Sequence, residues 1–207
     1  MLSGQFFDEM GSCACECIEN LKTWPEIRKL IEAIISGYDG RDFVEEEIYF
    51  LAAYLEEIFI AAIWEESPDN TFYSCIANAI GDGTDFLEYL HMRELLDMTY
   101  DEFSECFGCN SAEDVAEELL GKCRGRAEWC ACEVIEGTEK WPEIYDEALF
   151  EEKDTPENAA DTLFDWLGDY LEEINIADHW QGSDGATFGE CLIRVIGNGS
   201  DFLGYIQ

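Results

Sequence analysis

The chain carries very little positive charge. Of 207 residues only 11 are Lys or Arg and 2 are His, against 48 Asp and Glu, for a net charge of −37. A field of that sign repels nucleic acid and anionic membrane and attracts basic proteins, which excludes direct binding to DNA, RNA or lipid. Long apolar runs are missing too. A run such as Ile58 to Trp64 has seven residues, far short of the ~18 that a membrane span needs. The segment MLSGQFFDEM has no basic stretch followed by an extended apolar one, so no secretory signal is read there and a cytoplasmic protein is expected. The two histidines, His91 and His179, lie in no nucleophile pattern. No glycine-rich loop of the P-loop or dinucleotide type occurs. Neither an enzyme nor a cofactor is expected.

What is present argues for a folded chain. Hydrophobic residues are 47% and aromatics 14%, too many for a disordered acidic polymer. Sustained period-two alternation is absent, which predicts an all-α protein, with short strands at segment ends left open.

The sequence is written twice. Cys13 to Ile27, CACECIENLKTWPEI, returns as Cys130 to Ile144, CACEVIEGTEKWPEI, with ten of fifteen positions identical at a displacement of 117. Thr71 to Leu90 returns as Thr187 to Ile206, displaced by 116, and Tyr54 to Ile58 matches Tyr170 to Ile174. A period this long is a duplicated domain, not a solenoid repeat. The expected organisation is one helical copy at 1–90, an acidic helical connector at 91–122 and a second copy at 123–207. In each copy a cysteine-bearing helix ends near Trp-Pro, and a second helix follows, Glu26 to Ser36 or Glu143 to Glu152. A long helix comes next, opened in the second copy by Thr155-Pro156. A loop such as Ser67 to Asn70 turns the chain, and two further helices meet at GDGTD or GNGSD. In the connector, Thr99 caps Tyr100 to Phe107, which Gly108 ends, and Ser111 caps Ala112 to Leu120, which Gly121 ends.

The two long segments, Asp42 to Glu66 and Asn158 to Trp180, organise the rest. Val44, Ile48, Leu51, Leu55, Ile58 and Ala62 predict one helix of about six or seven turns with that stripe against a core. Ala160, Phe164, Leu167, Leu171 and Ile174 repeat it. The outer surface carries Glu45, Glu46, Glu56 and Glu57 in the first copy and Asp161, Asp165, Asp169, Glu172 and Glu173 in the second. Like charges at i, i+4 cost a helix about 0.2–0.5 kcal/mol per pair, and almost no Lys or Arg offsets them. These nine carboxylates are the candidate partner-binding face.

GDGTD at Gly81 to Asp85 lacks the spaced ligands of a calcium loop and reads as a glycine C-cap followed by a Thr84 or Ser200 N-cap. Ten cysteines in a reducing compartment are thiols or metal ligands before they are disulfides. Cys106 and Cys109, with Cys123 and Cys130, have spacings from which a zinc site could be assembled. Cys13, Cys15, Cys75, Cys130, Cys132 and Cys191 also recur between copies, as small buried hydrophobes would.

Duplex DNA carries one charge per ~1.7 Å of axis, so this net charge corresponds to about 60 Å of duplex, on a body roughly 40–45 Å across. In charge and duplication the chain resembles the acidic DNA-mimic inhibitors that phages and mobile elements make against restriction or CRISPR systems. That resemblance implies a non-catalytic inhibitor, acting in the host cytoplasm, that occupies the basic DNA- or RNA-binding channel of a nuclease, restriction or CRISPR effector. The alternative is an immunity protein or antitoxin that neutralises a cationic nuclease toxin. A zinc-dependent adaptor is a third class, and homodimerisation is left open.

Overall fold

The computed structural model describes residues 4–35, 42–67, 70–151 and 156–207. Among them the elements are helices: α1 Gly4–Ile18, α2 Trp24–Ile35, α3 Phe43–Glu57, α4 Ile60–Glu65, α5 Phe72–Ile80, α6 Thr84–Asp97, α7 Tyr100–Phe107, α8 Ala112–Glu117, a π-helical turn Glu118–Lys122, α9 Arg124–Glu136, α10 Trp141–Glu151, α11 Pro156–Glu173, α12 Ile176–Gln181, α13 Phe188–Ile196 and α14 Ser200–Ile206. The all-α expectation holds. The described residues form no strand, only one isolated antiparallel bridge between Thr99 and Thr187. The chain divides into two compact units, Met1–His91 and Met92–Gln207.

Each unit buries one side of its cysteine-bearing helix against a long one: α1 against α3 in the first unit, α9 against α11 in the second. Ala14 and Ile18 on α1 and Leu51 and Leu55 on α3 are fully buried, as are Ala131, Ile135, Leu167 and Leu171 in the second unit. Residues 91–122, read above as a connector, place Leu95, Phe103, Val115 and Leu119 in the core of the second unit. They are amphipathic and need a surface to cover, which that core offers.

The long helix of the sequence reading is broken in both units. α3 stops at Glu57 and α4 starts at Ile60, with Phe59 left-handed at φ 55° between them. α11 and α12 are separated by Asn175 at φ 54°. A left-handed residue ends a helix without leaving its last carbonyls orphaned. Asn tolerates that geometry, whereas a side chain such as Phe pays about 1–2 kcal/mol for it. The apolar stripe also sits differently from the one expected. Val44 is 56% exposed, and Ala62 and Ala160 are exposed. The buried side runs through Glu47, Leu51 and Leu55 in α3 and through Ala159, Leu163, Leu167 and Leu171 in α11. A reading that follows apolar residues alone steps around a buried carboxylate.

Thr99 caps α7 in a full capping box with Glu102, Gly108 closes it at φ 71°, and Ser111 caps α8. Gly121 does not end a helix; the π turn carries the chain through it to Cys123. The glycine loops differ in one detail. Gly81 and Gly197 end α5 and α13 as expected, but Thr84 and Ser200 are the first helical residues and not the caps. Their amides donate to Asp82 Oδ1 (3.0 Å) and Asn198 Oδ1 (3.1 Å). The cap at Thr155, the ends at Ser36 and Glu152, and Pro68-Asp69 of the turn lie outside the described residues.

Candidate partner-binding surface

Asp42 accepts a hydrogen bond from the Val44 amide and starts α3. The first turn then carries Glu45 and Glu46 and the last turn Glu56 and Glu57. Glu45, Glu56 and Glu57 are exposed and Glu46 is half-buried. On α11, Asp161, Asp165, Asp169, Glu172 and Glu173 are all exposed. Three of these positions recur at a displacement of 116: Glu45 with Asp161, Glu56 with Glu172, and Glu57 with Glu173. The remaining three, Glu46, Asp165 and Asp169, do not.

Two of the second unit's carboxylates are held by a cation from a neighbouring helix. Arg124 on α9 bonds Glu128 Oε1 at 2.6 Å and Asp169 Oδ1 at 2.8 Å, with Glu172 Oε2 at 4.0 Å. Gly168 makes the space, since a Cβ there would collide with the Glu128 carboxylate and Arg124. Arg28 pairs with Glu32, Lys122 with Glu118 and Lys140 with Glu143 at one-turn spacing, and Arg93 pairs with Glu133. These cations are spent locally. From Asp42 through Met92 the sequence holds twelve Asp and Glu and not one Lys or Arg.

Among the described residues two carboxylates go inward. Glu128 is 9% exposed, and burial raises its pKa while Arg124 lowers it. Glu47 is 4% exposed and its Oε1 has no hydrogen-bond partner. Burial raises the Glu47 pKa most; the Cys15 thiol hydrogen bond and Arg28 oppose this and Glu19 adds to it.

The cysteines do not form the zinc site considered above. Among the described residues no group of three or more His, Cys, Asp or Glu side chains could hold a metal ion. Cys106 is exposed on α7, Cys123 and Cys130 are buried, and Cys109 is half-buried. The Cys130 thiol donates to the Met92 carbonyl at 3.5 Å, and burial raises the pKa of Cys109, Cys123 and Cys130. Raised thiols beside carboxylates are poor sources of the thiolates that zinc requires. No helix among the described residues is long and apolar enough to cross a membrane.

A mainly apolar groove of about 450 Å³ lies on the second unit, lined by Leu96, Val134, Gly189 and Ile193 with Glu133 and Thr138 at its polar side. In the first unit Tyr73 stands in the place of Gly189 and hydrogen-bonds Cys17, which stands in the place of Val134.

The side chain that the sequence reading missed is Phe59, 75% exposed in its left-handed conformation. Its signal was available in the sequence repeat, where Phe59 aligns with Asn175 at a displacement of 116. No family model matches the chain, and comparison with curated proteins and with solved structures likewise gives no match.

Proposed function

We propose that this chain is a duplicated, non-catalytic nucleic-acid mimic that inhibits a nuclease or defence complex by occupying its basic DNA- or RNA-binding channel, in the manner of anti-restriction and anti-CRISPR inhibitors. The observation that carries the reading is the stretch from Asp42 through Met92, twelve carboxylates without a Lys or Arg, among them Glu56 and Glu57 in the last turn of α3, where acid opposes the helix dipole. The pairs Glu45 and Asp161, Glu56 and Glu172, and Glu57 and Glu173 keep acid at the same register in both copies. A row of fixed carboxylates offers a Lys/Arg channel what phosphates offer, and the long-range field speeds encounter.

The duplication belongs to the same proposal. The aromatic cluster Tyr54, Phe86 and Tyr89 has ring separations of 5.3, 5.5 and 6.1 Å, and Tyr170, Phe202 and Tyr205 have 5.2, 5.3 and 6.3 Å. Trp64 donates to the Asn70 carbonyl as Trp180 does to that of Ala186. Two copies of one acidic scaffold double the contact without a new fold.

The test is a gel-shift competition. The purified protein is titrated against restriction complexes, CRISPR effectors and toxin nucleases bound to labelled DNA or RNA. One target class is expected to release its nucleic acid, less readily as salt rises. Reversing Glu56, Glu57, Glu172 and Glu173 to Lys is expected to abolish the release. Failure to displace nucleic acid from any of them, or a reversed variant as potent as the native chain, sinks the reading. Selective rescue of a toxin nuclease would favour the immunity-protein alternative.

A further inference from the structure

Phe59 combines three properties that folding alone does not explain. It is the most exposed large apolar side chain in the described structure, at 75%. Its backbone is left-handed, where bulky side chains are genuine outliers. The equivalent position holds Asn175, which adopts the same φ at no such cost. A residue that is strained and unburied stabilises neither its helix nor its core, and strain of this kind gathers where a chain meets a ligand.

Its surroundings indicate what kind of ligand. Ile63 and Trp64 on α4 are each 41% exposed. Glu56 and Glu57 precede Phe59, Glu65 and Glu66 follow it, and all four are exposed. An apolar centre flanked by single-sign charge is the pattern of an interface hot spot with a polar rim. Its complement is an apolar pocket edged with Lys and Arg. A second copy of this chain cannot supply that edge, because it brings −37 charges of its own.

We propose that Phe59 is the apolar anchor of a docking surface on the first unit, and that it seats in an apolar pocket rimmed by Lys and Arg on a basic partner protein. The proposal rests on the acidic-mimic reading and adds to it the contact that holds the complex after charge has steered it. Charge sets the encounter and its salt dependence; a buried aromatic sets the dissociation rate.

The experiment uses the full-length protein, its F59N variant and two synthetic peptides of equal length and charge, one combining Lys with Leu and one combining Lys with Ser. F59N installs the residue of the matched position, so the variant is expected to keep its helical circular dichroism and melt no lower than the native chain. By calorimetry at about 0.15 M salt, the native chain is expected to bind the Lys/Leu peptide about tenfold or more tightly than the Lys/Ser peptide. F59N is expected to lose that preference while its Lys/Ser affinity stays unchanged. A preference that survives in F59N overturns the proposal and leaves the charge reading intact. A dimer of the native chain that F59N dissolves, seen by sedimentation, also overturns it. Failure of both peptides to bind overturns both readings.

Discussion

The two units repeat stretches of one sequence and differ at one helix crossing. In the first unit, α1 meets α3 through small and aromatic groups. Phe7 lies 6.1 Å from the Tyr49 ring, and Gly11 lies so close to the Ile48 backbone that a Cβ would clash. In the second, the matched positions hold Arg124, Glu128 and Asp165, with Gly168 and Asp169 in place of Ala52 and Ala53. There α9 and α11 are joined by ions. The surfaces differ in the same sense. Val44, Tyr49, Phe59, Ile63, Trp64 and Tyr73 are large apolar residues exposed on the first unit, against Phe107, Ile193 and Tyr205 on the second. What is alike, the glycine loops and the aromatic cluster, belongs to the scaffold. What differs is where each unit spends its polar and apolar groups: the first unit spends apolar ones on the outside and leaves an oxygen of its inward carboxylate without a hydrogen-bond partner.

The sharpest way to break that comparison is to exchange the inward residues. Leu163 of α11, 2% exposed, stands where Glu47 stands in α3. L163E meets Cys132 in the place of Cys15, but Tyr145 occupies the place of Arg28, the cation that favours the Glu47 carboxylate. Without it the buried charge is expected to cost the second unit about 3–4 kcal/mol. The reverse change, E47L, removes an unsatisfied oxygen and is expected to stabilise the first unit by about 1–2 kcal/mol. Peptide-resolved hydrogen exchange reads the units separately. An L163E chain whose second unit keeps its protection would show that the site accepts a carboxylate as readily as α3 does.

The ionic crossing can be taken apart next. R124A leaves Glu128 at 9% exposure without the guanidinium that satisfies it, for an expected loss of about 2–3 kcal/mol in the second unit. R124A/E128A is expected to recover most of that, because the penalty comes from the orphaned carboxylate and not from the missing pair. A double variant as unstable as the single one would assign the loss to packing of the Arg124 stem.

These two sites also mark where the sequence was legible. Thr99, Ser111, Gly108 and the Gly81 and Gly197 helix ends were read correctly because capping is local and the residue carries its own reason. The all-α character followed from periodicity. The break at Phe59 was not legible from its own copy, since Phe gives no left-handed signal. Asn175 does give one. Glu47 was missed because a stripe drawn through apolar residues cannot include a buried acid, and its true side is one that only the α1 contact defines. Arg124 and Asp169 are 45 residues apart, and nothing local joins them. The nine acidic candidates were legible as an outer surface, and all but the half-buried Glu46 are exposed. The sequence did not tell that Arg124 would hold two of them.

The smallest expected effect is a difference in slope with pH. The folded pKa of Glu47 is raised above its ordinary 4.5, chiefly by burial. A group raised in this way binds its proton more tightly folded than unfolded. Its contribution to stability is therefore complete below the unfolded value and is lost as pH rises through the folded one. Lowering the pH from 7 toward 4.5 should then strengthen the first unit through Glu47. The general relief of carboxylate repulsion acts in the same direction, and it acts on both units and on any variant. Comparing native protein with E47L removes that common part. The advantage of E47L should be greatest at neutral pH and shrink as the solution is acidified, as Glu47 in the native chain takes up its proton and ceases to be a buried charge. Urea unfolding of the two proteins across that range, followed by exchange in the first unit, measures the difference. A gap that stays constant with pH would mean that Glu47 takes up its proton equally readily folded and unfolded, and the contrast drawn with Leu163 would then be one of shape and not of charge.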